Sequence, residues 1–251
     1  MTNKLFVYLP CFNEELNITN LTNEWQKEKD TLLSLGYELV LYAIDDKSTD
    51  NTLSVLHTLE ITYNNFNMIC HKTNYDLGGA IKTAITSFLK NANEDDLMLF
   101  MDADNTHKPK YIYSMIACLY EETGCIIASR YQNGAEVCGL STLRQIMSDG
   151  AKLYYSVVLN VPNVKDYTCG YRLYTHQALK LGWDKYGDNI ITSRTFACMM
   201  QLLYNLNKAG VTFGEIPFTL EYGDKQGVSS MNISKTTLNS ITTALKLRFR
   251  R

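Results

Sequence analysis

Short apolar runs alternate along this chain with stretches whose apolar residues recur every three or four positions. The runs KLFVYLP (4–10), ELVLYAID (38–45), NMICH (67–71), LMLFMD (97–102) and CIIAS (125–129) read as strands. Between them, residues 15–36, 51–65, 77–92 and 108–123 carry the three-to-four spacing of amphipathic helices. Strand–helix alternation with almost continuously apolar strands predicts an α/β fold, a mainly parallel sheet covered by helices on both faces. After about residue 130 the regular alternation stops. Residues 141–160 and 193–210 then read as helices, 164–174 as a turn entering a strand, and 213–232 as a strand followed by a loop. No low-complexity linker and no internal repeat interrupts the chain, so one domain over 1–251 is expected, with halves 1–130 and 131–231 and a terminal helix over 232–251.

Composition narrows this picture modestly. Lys and Arg number 24 against 26 Asp and Glu, a net charge of −2 with pI about 6.1. No global basic field points to nucleic acid. A hydrophobic share of 45% with only four prolines supports a substantial core. The seven cysteines are scattered with no C-x-x-C pair, which reads as reduced thiols in a cytoplasmic protein. The N-terminal apolar stretch is too short for a signal peptide, and no apolar run reaches 18 residues.

The chemistry gathers where the predicted strands end. In a sheet of this kind ligands bind beyond the carboxyl ends of the strands, and those ends carry PCFNEE, DDKSTDNT, HKTNYDLGG and DADNTH. Asp102 and Asp104 stand two apart, so an extended chain points both the same way. Like charges so placed repel unless a cation or a shared proton relieves them. A solvated turn and a hard-metal site are the alternatives. Asp45 and Asp46 close the second run, and Thr49 or Asp50 can cap the helix that follows. A carboxylate at that position can accept hydrogen bonds from a ribose or a base edge. Gly78 and Gly79 open a helix but do not make G-x-G-x-x-G, which disfavours a dinucleotide-binding dehydrogenase.

Taken in order, PCFNEE, DDKSTDNT, NYDLGGAIKTA, MDADNTHKP, ASRY, STLRQIMSDGAKLYY, DYTCGYRLY and GEIPFTLEYGDKQGVSSMN form a series that resembles family-2 glycosyltransferases. The likeness is to synthases of dolichyl- and polyprenyl-phosphate sugars of the mannosyltransferase type, and it runs from residue 4 to about 250. It implies a GT-A fold, a GDP- or UDP-linked sugar donor, and Mg²⁺ or Mn²⁺. By matching motif, Pro10, Phe12, Asn13, Glu14 and Asp45 would line the nucleotide pocket. Asp102 and Asp104 would stand at the diphosphate and the metal. Arg130 matches the arginine of the family's GSR, Arg144 that of its WS/S-x-x-R stretch, and Asp166 and Arg172 the ends of its DxTSGFR. Lys225 lies near its loop lysine.

Three positions depart from the pattern. Thr106 stands where relatives often carry a further polar residue beside the metal, Gln201 where they carry a glutamate, and Ser230 where they carry the loop lysine. The resemblance implies an inverting, metal-dependent transfer, with a polyprenyl phosphate as the expected acceptor. Arg144, Arg172 and Lys225 would then hold the acceptor phosphate. A saccharide hydroxyl in cell-envelope polysaccharide synthesis is the alternative acceptor, and it would need a base, with Asp166 raised in pKa by burial as the candidate. A catalytically silent nucleotide-sugar-binding module and a nucleotidyltransferase are the rival readings. At the C-terminus, Leu238, Ile241, Leu245 and Phe249 form one helical stripe beside Lys235, Lys246, Arg248, Arg250 and Arg251. That helix either packs on the domain or lies on the inner face of an anionic membrane.

Overall fold

The computed structural model describes residues 2–120, 122–139, 142–221, 223 and 233–249; within these, side chains of 142–147 and 233–239 are not described. Its first half follows the apolar pattern closely. Strands β1 (Asn3–Cys11), β2 (Tyr37–Asp45), β3 (Phe66–Cys70) and β4 (Leu97–Phe100) alternate with helices α1 (Ile18–Ser34), α2 (Thr52–Thr62) and α3 (Asp76–Asn91). β1 pairs in parallel with β2 and β4, and β2 with β3. Leu5, Val7, Leu9, Leu41 and Leu99 are wholly buried, as strands covered on both faces require. Asp50 serves the start of α2, its Oδ1 accepting from Thr52 N at 2.9 Å.

The helix expected over 108–123 is shorter. A 3₁₀ turn at Pro109–Tyr111 leads into α4 (Ile112–Ala117), and the chain then turns towards β5 (Cys125–Ser129). Cys118 N and Leu119 N close the last turn on Met115 and Ile116 carbonyls, and Thr123 N closes a further turn on Tyr120 O. The apolar residues beyond 117 therefore serve a connection.

The second half returns to the same sheet. After β6 (Glu136–Cys138) and α5 (Thr142–Val158) comes β7 (Arg172–Thr175), followed by α6 (His176–Tyr186), α7 (Ala197–Lys208), β8 (Phe213–Pro217), β9 (Thr219–Glu221) and α8 (Ile233–Phe249). The sheet order is β3-β2-β1-β4-β7-β5-β8, with β6 and β9 as a separate pair. β7 alone runs antiparallel, wedged between β4 and β5. α6 went unread in the sequence, although Thr175 caps it by accepting from Ala178 N at 3.2 Å, and Ala178, Leu179 and Gly182 form its buried face.

Register places the site. Cys11 pairs with Asp45, and Asp45 with Cys70, so three strand ends lie level. Phe100, the last residue of β4, pairs with Arg172, the first of β7. The chain leaving β4 thus runs beside the chain entering β7, and Asp102 comes against Gly170.

Candidate active site

The loops after β1 and β2 are sewn together. Asn13, at φ 60°, donates its backbone N–H to Ser48 Oγ at 3.0 Å, while its Oδ1 accepts from Thr49 N at 2.8 Å and Thr49 Oγ1 at 3.2 Å. Glu14 N donates to Thr52 Oγ1 at 2.8 Å, and Glu14 Oε2 accepts from Asn17 Nδ2 at 2.7 Å. Pro10 is half-buried and Phe12 exposed beside them. Asp45 is buried, with Oδ1 accepting from Ser48 N at 3.3 Å. Asp46 is the structural partner of the pair. Its Oδ1 lies 2.7 Å from His71 Nδ1 and accepts from Tyr75 N at 2.8 Å, which ties the loop after β3 to β2.

Asp102 and Asp104 are both half-exposed, and Ala103 between them is buried. β4 has ended at Phe100 and the chain bends from Ala103 onward, so the two carboxylates stand in the turn that follows the strand. Asn105, at φ 65°, anchors the following turn to α1 through Asn17 O and Oδ1 at 3.3 and 3.2 Å. Thr106 is buried and donates from Oγ1 and N to Asp104 Oδ1 at 2.6 and 3.2 Å. It fixes the carboxylate's rotamer. Next to it, His107 is buried against Tyr171 and Phe218. Burial holds its imidazole near pKa 4 against the opposing pull of Asp104, so the ring is neutral at pH 7.

Among the described residues no three His, Cys, Asp or Glu side chains converge on a metal position. Two half-exposed carboxylates still suit Mg²⁺ or Mn²⁺. Such hard cations take oxygen ligands and are commonly held by one or two carboxylates, with substrate phosphates and water completing the shell.

Across from the pair lies Asp166, fully buried and saturated with donors. Its Oδ2 accepts from Arg130 N and Nε at 3.1 and 2.8 Å, and its Oδ1 from Arg130 Nη2, Thr168 N and Cys169 N at 2.7, 3.2 and 3.0 Å. Burial pushes this carboxyl up, but the Arg130 guanidinium and the amides outweigh it and hold the pKa at about 2. The expectation of a base with raised pKa is thereby corrected: an ion pair overrides desolvation. Arg130 remains beside the site, its Nη2 also donating to Thr168 Oγ1 at 2.6 Å.

Arg172 requires a correction too. It has no exposed surface, and its Nε, Nη1 and Nη2 donate to the carbonyls of Cys169, Met199 and Tyr167 at 2.9, 2.8 and 2.9 Å. A guanidinium so enclosed braces the loop from below and offers nothing to an acceptor phosphate. The Arg144 side chain and Lys225 lie outside the described residues. Cys169 is buried, and burial reinforced by Asp166 raises its thiol to about 12, so it stays protonated.

Gln201 is also buried. Its Oε1 accepts from Thr192 N and Ser193 N at 3.0 and 2.9 Å, and its Nε2 donates to Thr192 Oγ1 at 2.9 Å. The strap it holds crosses α3 at Gly78, where a Cβ would stand 2.0 Å from Ser193 O. Close packing is therefore what the glycine serves. Sequence reasoning passed over His107 and His71 as site neighbours, whose only signal was adjacency to acidic strand ends; Thr106 it named beside the metal, and here that residue holds Asp104.

A single α/β domain with a mostly parallel central sheet flanked by helices is the fold of the GT-A glycosyltransferases. Two solved structures share it: S. aureus TarS 1–349, at TM-score 0.55 and 17% identity over 98% of this chain and 72% of that one, and the mannosyltransferase PcManGT from Pyrobaculum calidifontis in complex with GDP-Man and Mn²⁺, at TM-score 0.58 and 11% identity over 98% and 70%. The family description "Glycosyl transferase family 2" matches residues 6–183, and the chain belongs to that family. Among curated proteins it is 23% identical over 232 residues to polyprenol monophosphomannose synthase of Mycolicibacterium smegmatis, covering 92% of this chain and 82% of that one. It is 27% identical over 169 residues to dolichol-phosphate mannosyltransferase of Pyrococcus furiosus, covering 67% and 45%.

Proposed function

We propose that this glycosyltransferase moves a sugar, with inversion, from a nucleoside diphosphate to a polyprenyl phosphate. The observation that carries the acceptor choice is the saturation of Asp166. A hydroxyl acceptor needs a base, and the carboxylate best placed by motif for that work is locked to Arg130 at a pKa of about 2. A phosphate monoester, with a second pKa of about 6, is largely dianionic at neutral pH and needs no base. The curated relatives named above for polyprenol and dolichol phosphate mannose support the same acceptor class and make mannose the first sugar to try.

In this reading the loops of Pro10–Glu14 and Asp45 hold the nucleoside, and Asp102 and Asp104 hold Mg²⁺ or Mn²⁺ at the diphosphate. When bound, the cation supplies charge neutralisation for the departing diphosphate. An acceptor phosphate oxygen attacks the anomeric carbon from the face opposite the leaving group. The new C–O bond forms as the bond to the diphosphate oxygen breaks, which inverts the sugar. Arg130, and Arg144 and Lys225 by motif, compensate charge on the acceptor phosphate.

The acceptor's chain lies in a bilayer, and two helices offer a surface to meet it. Leu153 and Val157 on α5 are 66% and 71% exposed, and Leu245 and Phe249 on α8 are 42% and 76% exposed. The helices are neighbours, with Tyr154 OH donating to Ile241 O at 3.0 Å. Of the C-terminal stripe expected from the sequence, Leu245 and Phe249 are thus exposed and Ile241 is half-buried, the Leu238 side chain lying outside the described residues, while Ser240, Ala244 and Leu247 are buried. No acidic residue follows Asp224, whereas six basic residues do. Among the described residues no helix is long and apolar enough to cross a membrane. Peripheral attachment to the inner, anionic leaflet fits this charge.

The test is incubation with GDP- and UDP-linked sugars, Mn²⁺ or Mg²⁺, and undecaprenyl phosphate in detergent. Sugar-phosphate lipid and free nucleoside diphosphate support the reading, and Asp104→Ala should lower turnover at least ~100-fold. Pyrophosphate release, binding without turnover, or transfer to saccharides alone refutes it.

A further inference from the structure

The segment from Asp166 to Arg172 is held by two buried opposite charges that do not pair with each other. Asp166 takes the loop's amides, those of Thr168 and Cys169. Arg172 takes its carbonyls, those of Tyr167 and Cys169. The ends are fixed as well. Asp166 N donates to Glu215 Oε1 at 2.7 Å, and Tyr171 O accepts from Ala128 N at 3.0 Å. Burying a carboxylate and a guanidinium is costly unless each is fully hydrogen-bonded. Here both are used to stiffen seven residues.

What those residues touch gives the stiffness a purpose. At one end Asp166 grips Arg130 through Nε and Nη2, which sets the guanidinium plane and leaves Nη1 as the nitrogen that neither Asp166 nor Thr168 engages. At the other end Gly170 lies flat on Asp102. A Cβ there would sit 3.2 Å from Asp102 Oδ1 and 3.5 Å from Oδ2. Metal ligands must be held to within ~0.5 Å, and the groups that hold them normally lie just outside the ligand shell.

We propose that Asp166–Arg172 is a rigid bracket that positions Asp102 through Gly170 and Arg130 through Asp166, registering the metal side of the reaction against the acceptor side. Asp166 and Gly170 are positioning residues; neither reaches the reacting atoms. The inference rests on the reading of Asp102 as a metal-side carboxylate and of Arg130 as an acceptor-side cation.

Two substitutions separate the ends of the bracket. Gly170→Val pushes methyl groups into the Asp102 carboxylate and leaves the Asp166–Arg130 pair alone. Asp166→Asn does the reverse. Its amide oxygen can still accept from Thr168 N and Cys169 N, which need an oxygen there. Its amide nitrogen then faces Arg130 N and Nε, donor against donor. The metal side is read as the dissociation constant of Mn²⁺, from free-ion EPR with saturating GDP, and with UDP in parallel. The acceptor side is read as farnesyl phosphate affinity by calorimetry. Neither needs turnover.

Gly170→Val should weaken Mn²⁺ about tenfold or more and leave farnesyl phosphate within about twofold. Asp166→Asn should weaken farnesyl phosphate by a similar factor and leave Mn²⁺ nearly unchanged. Gly170→Ala, whose single methyl displaces the carboxylate by only tenths of an ångström, gives a smaller shift of the same sign and stands in if the valine variant does not fold. Loss of both affinities together in either variant, tracking its melting temperature, overturns the bracket, as does unchanged Mn²⁺ affinity in Gly170→Val. Asp102→Ala separates the two levels. If it keeps full Mn²⁺ affinity, the metal reading itself fails. If the wild-type protein ignores farnesyl phosphate, the acceptor reading fails, and the Mn²⁺ arm alone decides whether Gly170 positions Asp102.

Discussion

Arg172→Met removes the three N–H groups that serve the carbonyls of Tyr167, Cys169 and Met199. Methionine approximates the length of the arginine stem, so little volume is lost. What remains is the Tyr167 and Cys169 carbonyls without those donors, since Met199 O lies inside α7 and keeps its helical partner, and a buried acceptor left unserved costs about 1–3 kcal/mol. The sum, roughly 2–6 kcal/mol, is partly offset because the variant no longer desolvates a charge, a penalty of several kcal/mol. A net loss of about 3–5 kcal/mol is expected, in the range seen when one member of a buried charged network is removed. For a chain of this size about 1 kcal/mol corresponds to ~2–4 °C, so the melting temperature should fall by ~6–20 °C. Arg172→Lys should recover little, since one ammonium cannot reach three carbonyls in a planar fork. Urea unfolding gives the free energy, and farnesyl phosphate calorimetry on the folded fraction gives the acceptor affinity. A stability loss under about 1 kcal/mol with a sharp fall in acceptor affinity would refute the reasoning and return Arg172 to the phosphate site, where the motif had put it.

Asp166 carries a pH signature. Its folded pKa of about 2 lies below the ordinary 3.8, so its stabilisation is complete above pH ~4 and is lost as pH falls towards 2. The shift corresponds to about 2 kcal/mol. Stability measured from pH 6 to 2 should show this loss in the wild-type protein and less of it in Asp166→Asn, and equal slopes would contradict the assignment. For the same reason turnover between pH 6 and 9 should show no limb owed to Asp166. Gln201→Leu strips Thr192 and Ser193 of their shared acceptor and should cost ~2–3 kcal/mol in urea. Gln201→Glu keeps an acceptor for both amides and for the Thr192 hydroxyl and should cost under ~1 kcal/mol; a larger loss there would mean the strap is not held this way. On the surface, Leu245→Glu with Phe249→Glu should abolish co-sedimentation with phosphatidylglycerol vesicles. Undiminished vesicle binding removes α8 from the membrane contact.

The sequence by itself determined the parts of this protein that depend on local periodicity. Strands β1 to β4 announce themselves as apolar runs, and the position of Asp102 and Asp104 just past the end of β4 follows from where the last of those runs stops. That the acidic and Asn-rich stretches gather at one edge follows from parallel strands, whose ends all face the same way. The ordered motifs added the family. Tertiary structure decided everything that depends on partners distant in sequence. Asp166 is ion-paired because β5 ends with Arg130 next to it, 36 residues away; composition cannot say whether burial or a guanidinium wins. Arg172 is sealed because β7 enters antiparallel between β4 and β5, a placement its own four residues do not encode. Likewise, nothing local distinguishes Gln201 as a strap holder from Gln201 as a lost carboxylate. Charges at motif positions read alike in a sequence, and only the packing around them fixes whether they meet a ligand or hold up the groups that do.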